Sequence, residues 1–427
     1  MDATPAYIDD FARFISASPS SYHAAAEVAR RLETHGFVRL SESDEWSGEP
    51  GGRFVVRDGA VVAWLQPVGA GPTTPYKILG AHTDSPGFKL KPKPTIGSHG
   101  WLQAGVEVYG GPLLNSWLDR ELELAGRLVT RDGTEHLVRT GPFLRIPQLA
   151  VHLDREVNNG LVLDRQRHLT PVFGVGDVAQ ADLVAHLADR AGVEAADVAG
   201  YDILTADTAP PARFGLGNTL FAAGRMDNLS AVHAGLRALI AAAAVPSGGT
   251  SISLLAAFDH EELGSQSRSG ASGPLLDDIL TRISAGLGAS VSQRLQAYAE
   301  SWCLSADAGH AVDPNYSERH DPANMPILGG GPLLKINANQ RYATDAVGAA
   351  LWARTCEQAG VNYQEFVSNN TVPCGSTIGP LTATRLGIRT VDVGVALLSM
   401  HSARELCHVN DPGALSAAIE AFFSPAS

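Results

Sequence analysis

The chain predicts an α/β fold, a doubly wound mixed sheet interrupted by a β-rich insert, and three features of its 427 residues carry that prediction. Ser251 to Phe258 is a continuous apolar run, of the kind that forms a strand buried on both faces of a parallel sheet. From about Phe214 onward, strand-like and helix-like stretches alternate, which is the rhythm of a doubly wound sheet. Between about Pro92 and Arg213 that rhythm gives way to strand-like alternation of apolar and polar residues. The expected organisation is a discontinuous main domain, residues 1–92 and 213–427, with an insert at 93–212.

Taken in order, Tyr7, Phe11, Phe14 and Ile15 share one face of a first helix. Ser20 and Ser21 offer capping hydroxyls to a second helix that runs to His35 and stops at Gly36. Val61 to Leu65 and Tyr76 to Gly80 read as strands, the second leading into His82-Thr83-Asp84. In the insert, Val106 with Val108 and Leu122 with Leu124 alternate, Arg131-Asp132-Gly133 reads as a hairpin turn, and Gln180 to Arg190 as a short helix. Beyond it, Asp227 to Ala244 is an Ala- and Leu-rich helix, and Ser301 to Ser305, Leu333 to Ile336 and Ile388 to Val393 are strands. Thr344 caps a helix to Gln358, and Thr377 to Arg385 forms another, closed by Gly387.

Composition narrows the function classes. With 44% hydrophobic and 18% charged residues the chain can fill a large core, and a net charge of −13 with scattered basic residues argues against a nucleic-acid partner. Lys89, Lys91 and Lys93 alternate as a solvated strand face would. Four cysteines with no CxxC spacing suit reduced thiols. Met1 to Asp10 lacks the basic and apolar regions of a leader, and no apolar run is long enough to cross a bilayer, so a cytoplasmic, membrane-free protein is expected.

The chemistry gathers at strand ends. His82 and Asp84 follow one expected strand, Asp259, His260, Glu261 and Glu262 a second, and Asp307 a third, while His401 lies just beyond a fourth. Ligands of open α/β sheets bind outside the carboxyl ends of the strands. Two adjacent glutamates directly after a buried strand are costly unless a cation neutralises them. Histidines with carboxylates and no cysteine favour zinc, with manganese or cobalt as substitutes. The donor count suits two ions about 3.5–4 Å apart sharing one carboxylate, and a leftover carboxylate then serves as general base toward water. Rival motifs fail: there is no HExxH, Gly264-Ser265-Gln266-Ser267 is not a nucleophile elbow, Gly329 to Gly331 lacks the rest of a phosphate loop, and nothing beyond Cys374 and His401 supports a thiol dyad.

Several segments, in order, resemble the aspartyl aminopeptidase family: Gly80-Ala81-His82-Thr83-Asp84-Ser85-Pro86, Gly224-Arg225-Met226-Asp227-Asn228-Leu229, Phe258-Asp259-His260-Glu261-Glu262-Leu263-Gly264-Ser265, Ser305-Ala306-Asp307 and Met400-His401-Ser402. So do Asp313-Pro314-Asn315-Tyr316, Gln340-Arg341-Tyr342-Ala343 and Pro373 to Pro380. The resemblance implies a two-zinc aminopeptidase with His82 and Asp307 on one ion, Glu262 and His401 on the other, and Asp227 bridging. It implies Glu261 as general base and Asp84 as the carboxylate that orients His82. It makes the insert a dimerisation domain and implies a tetrahedral dodecamer, in which His152 reaches a neighbouring subunit's site. From the residues alone, His152 reads as a hydrogen-bonded strand histidine, and Lys335 as snorkelling or paired with a structural acid. The resemblance instead implies that Lys335 reads an acidic first residue of the peptide, and His310, three residues after Asp307, is placed to assist. The chain departs from the family at Asn370-Thr371-Val372-Pro373, where members carry an Asp, and at Asp313, where many carry His; both fall on the expected substrate pocket. A non-catalytic scaffold of the same fold, or a two-metal dipeptidase or deacylase, are the alternative functions.

Overall fold

The computed structural model describes residues 4–245 and 249–424. The reading of the first ten residues therefore rests in part on residues 1–3, outside the described residues. Thr4–Ala17 is the first helix, and it buries Ile8, Phe11, Phe14 and Ile15. Ser20 caps the second, Ser21–Thr34, by accepting the His23 N–H, and Gly36 stops it at φ +81.

Among the described residues the main sheet has nine strands, in the order 38–39, 51–57, 60–66, 252–258, 76–82, 302–306, 389–394, 333–336 and 364–367. Its middle four, Ile252–Phe258, Tyr76–His82, Trp302–Ala306 and Arg389–Gly394, are mutually parallel. Every residue of Ile252–Phe258 is buried, as its unbroken apolar run predicts. Register brings the carboxyl ends level, with Phe258 opposite His82 and Ala306 opposite Val393. One face of the sheet packs on the helices Thr4–Ala17, Ser21–Thr34, Met226–Ala244, Ala346–Ala359 and Asp411–Phe423. The other packs on Leu275–Gly286, Val291–Glu300 and Ile378–Leu386. A sheet covered by helices on both faces is the doubly wound arrangement.

The insert forms its own antiparallel sheet, in the order 135–139, 122–130, 198–207, 87–98, 101–109 and 172–175. Its sheet begins at Gly87, ahead of the expected start at residue 93, because Gly87–Ser98 is one strand that crosses that point. Gly133, at φ +85, turns the chain between Thr130 and Glu135, and the short helix runs over Leu183–Ala191 with Asp182 as its cap. Lys89 is less solvated than its alternation implies, since its Nζ donates to Asp202 at 2.7 Å. Thr344 is not the helix cap: Asp345 accepts the Gly348 N–H, while the Thr344 hydroxyl accepts the Asp392 N–H at 2.9 Å. A third sheet, Ala212–Phe214, Leu220–Ala223 and Glu405–His408, has no counterpart in the expected elements. The four cysteines are free, and among the described residues no helix is long and apolar enough to cross a membrane.

Candidate metal centre

The level strand ends deliver the site. His82 closes its strand with its side chain 1% exposed, and the loop after Phe258 carries Glu261 and Glu262 alongside it. Asp307 follows Trp302–Ala306 directly. Asp227 lies just inside Met226–Ala244 but leaves helical geometry (φ −82, ψ 101), which turns it off the expected helix and into the cluster. Three non-glycine residues of these loops, Arg225, His260 and His401, sit at φ +61, +63 and +65. Such left-handed backbone costs of order 1–3 kcal/mol each and persists where the surroundings over-determine it.

Three groups of donors each bring their ligand atoms within 4.8 Å of one another: His82, Asp227 and Asp307; His82, Glu261 and Glu262; and Asp227, Glu262 and His401. His82 Nε2 lies 3.3 Å from Asp227 Oδ1 and 3.4 Å from Asp307 Oδ1. His401 Nε2 lies 3.3 Å from Asp227 Oδ2 and 3.4 Å from Glu262 Oε2. Asp227 thus turns one oxygen to each histidine. Among the described residues, Asp227 Oδ1 and Glu262 Oε1 are buried without a hydrogen-bond partner. Orphaned carboxylate oxygens of this kind are costly unless something cationic meets them.

Electrostatics makes the same point. Burial raises Glu261 to about 7, and burial with the charge of Asp227 raises Glu262 well above the usual carboxylate range. Burial opposes charge on the histidines too, yet Asp227, Asp307 and Asp84 hold His82 well above its ordinary value, and Asp227 and Glu262 lift His401 to about 10. Asp227 goes below the ordinary range although burial works against it, because His401 and His82 face it. Protons are shared where positive charge is short, and two divalent cations would answer that shortage. The donor set therefore fits the two-ion centre expected from the sequence.

Supporting contacts surround the donors. His82 Nδ1 lies 3.0 Å from the Asp84 carbonyl oxygen and 3.5 Å from its carboxylate. That carboxylate also accepts the N–H groups of Glu261 and Glu262, at 3.0 and 3.2 Å, and the Tyr109 hydroxyl at 2.9 Å. Asp84 therefore does more than face His82: it ties the glutamate loop to the His82 strand. On the other side, His401 Nδ1 lies 2.9 Å from the Gly111 carbonyl oxygen, and the Leu113 N–H donates to the His401 carbonyl at 2.8 Å. Tyr109, Gly111 and Leu113 belong to the insert, where the sequence shows only an alternating strand running out into Gly-Gly-Pro. Nothing in that pattern singles them out.

Lys335 is 1% exposed in Leu333–Ile336; its Nζ donates to the Ala308 carbonyl at 2.6 Å and lies 3.7 Å from Asp307 Oδ2. It is buried rather than snorkelling. His310, together with Tyr342 and Phe366, lines a cleft next to it, and Asp313 and Val372, from the two departing segments, line the same cleft. His152 is not brought to the site of its own chain. It is exposed in a turn between Glu135–Arg139 and Val172–Val175, not in a strand.

The family model described as Aminopeptidase I zinc metalloprotease (M18) matches residues 14–423. A Streptomyces coelicolor protein named probable M18 family aminopeptidase 2 is 55% identical over 422 residues, 98% of each chain. A chain from the Ape4 and Nbr1 complex is similar with a TM-score of 0.95 at 34% identity, covering 99% of this chain and 86% of that one. The S. cerevisiae mApe1 dodecamer gives 0.86 at 28% identity, covering 97% and 96%.

Proposed function

Since the chain belongs to the M18 family of zinc metalloprotease aminopeptidases, we propose that it removes single residues, preferentially Asp or Glu, from peptide N-termini at a two-zinc centre. His82 and Asp307 hold one ion, Glu262 and His401 the other, and Asp227 both; manganese or cobalt can substitute. The observation that carries this reading is that Asp227 turns Oδ1 to His82 and Oδ2 to His401, each at 3.3 Å. Two ions held there would polarise the scissile carbonyl and bring water to a nucleophilic state at neutral pH.

The protein's own residues do the rest. Glu261, among the donors but the one left over, takes a proton from the attacking water and returns it to the departing amine; its elevation to about 7 suits both tasks. Asp84 keeps Glu261 in place through its backbone N–H. His152, supplied by a neighbouring subunit, donates a hydrogen bond to the developing oxyanion. The insert serves as the dimerisation domain of a dodecamer like that of mApe1, and the cytoplasm is its setting. Lys335 and His310 receive the acidic side chain of the first residue. A neutral first residue leaves the Lys335 ammonium without that partner, which typically costs about 2–5 kcal/mol.

Catalytic efficiency of wild type and Lys335→Met on aminoacyl anilides of Asp, Glu, Leu and Ala tests the reading. The substitution should lower Asp and Glu hydrolysis roughly 30-fold or more relative to Leu and Ala, the lower end of that energy converted to a rate ratio. Equal losses, or a wild type that prefers Leu, overturn the acidic preference.

A further inference from the structure

We propose that Glu405 is a positioning residue that fixes His401 relative to the bridging Asp227; the proposal rests on the ligand reading above. Glu405 is 1% exposed, and each of its oxygens accepts one backbone N–H from a ligand: Oε2 from Asp227 at 3.0 Å and Oε1 from His401 at 2.9 Å. One carboxylate therefore joins two segments that are remote in sequence. Its place follows from register. Glu405 opens the strand Glu405–His408 opposite Ala223, the last residue of Leu220–Ala223. One strand leads on to Asp227, and the other emerges from the turn that holds His401. Glu405 stands where both chains leave the sheet.

The two segments are close at that point: a Cβ on Gly224 would lie 2.8 Å from the Ala403 carbonyl oxygen, so the approach depends on glycine there. On either side the backbone is in left-handed conformation, at Arg225 (φ +61) and His401 (φ +65). Such backbone holds only when anchored from outside. Both N–H groups are donors, so the anchor must offer two acceptors. A carboxylate does so, and an amide of the same size offers one acceptor and turns an NH2 toward the second donor.

Metal content of the full-length Glu405→Gln protein, measured by elemental analysis after dialysis against limiting zinc, tests this. Loss of one or both ions from a folded variant, a 10–100-fold weaker affinity for the weaker-held ion, and altered visible absorption of the cobalt-loaded protein are expected. Two ions at wild-type affinity with an unchanged cobalt spectrum overturn the proposal. A wild type that binds fewer than two ions overturns the ligand reading instead. Should the variant not fold, amide hydrogen exchange of metal-stripped wild type decides: protected Asp227 and His401 amides support the anchor, and free exchange at either overturns it.

Discussion

His82 closes a strand paired on both sides within the parallel sheet, with its side chain 1% exposed, whereas His401 sits in a turn at φ +65 with its side chain 33% exposed. The ring of His82 is oriented locally, by Asp84 two residues on. The ring of His401 is oriented by Gly111, 290 residues away in the insert, and its backbone by Leu113 and Glu405. The chemistry of the two halves is the same, histidine with carboxylate, but their support is not. One half inherits rigidity from the sheet, and the other assembles it from loop contacts.

Three measurements break or sharpen that contrast. Glu261→Gln leaves both halves intact, so turnover should fall roughly 10²–10⁴-fold while two ions per subunit remain. Loss of an ion from this variant would make Glu261 a ligand. Tyr109→Phe removes only the hydroxyl that steadies Asp84, which faces His82 and also accepts the Glu262 N–H, so it should weaken both halves, with about a 10–100-fold loss in metal affinity or activity. Unchanged metal affinity and activity would break the link through Asp84. Acidification should separate the halves. Asp227, Asp307 and Asp84 hold His82 well above its ordinary value, and Asp227 and Glu262 hold His401 at about 10, so protons on these rings compete with metal. Affinity therefore rises with pH and falls as pH is lowered, by up to about tenfold per unit for each proton displaced. The exposed His401 half should release its ion first. Zinc affinity measured against a competing chelator from pH 8 to 5 checks both points, and simultaneous release of the two ions would erase the distinction.

What the sequence revealed does not divide along that line. Apolar strands ending in His82-Thr83-Asp84, in Asp259 to Glu262 and in Asp307, with His401 just beyond a fourth, are local patterns, so these candidate donors were legible from residues alone. Asp227 entered only through family resemblance, because an Ala- and Leu-rich stretch hides the non-helical turn at its start. Glu405, Tyr109 and Gly111 were not legible at all. Glu405 lies in an Arg-Glu pair that reads as surface, and it is buried because Glu405–His408 joins a small sheet whose partner strand is remote in the chain. His152 shows the opposite limit: whatever it touches in an assembly, its own chain leaves it in an exposed turn.

The reach of the insert into the centre also sets a clock. Gly111 and His401 are 290 residues apart, so the His401 half has no complete frame until nearly the whole chain has been made. At ordinary synthesis rates of about 5–20 residues per second, that interval is roughly 15–60 s. In the later part of it, once residue 262 has been made, a nascent chain carries His82, Asp227 and Glu262 yet lacks both His401 and the Glu405 anchor. On the proposed ligand set, the complete two-ion centre would form only at the end of translation, and an interrupted chain would have at most half a centre with which to withdraw metal.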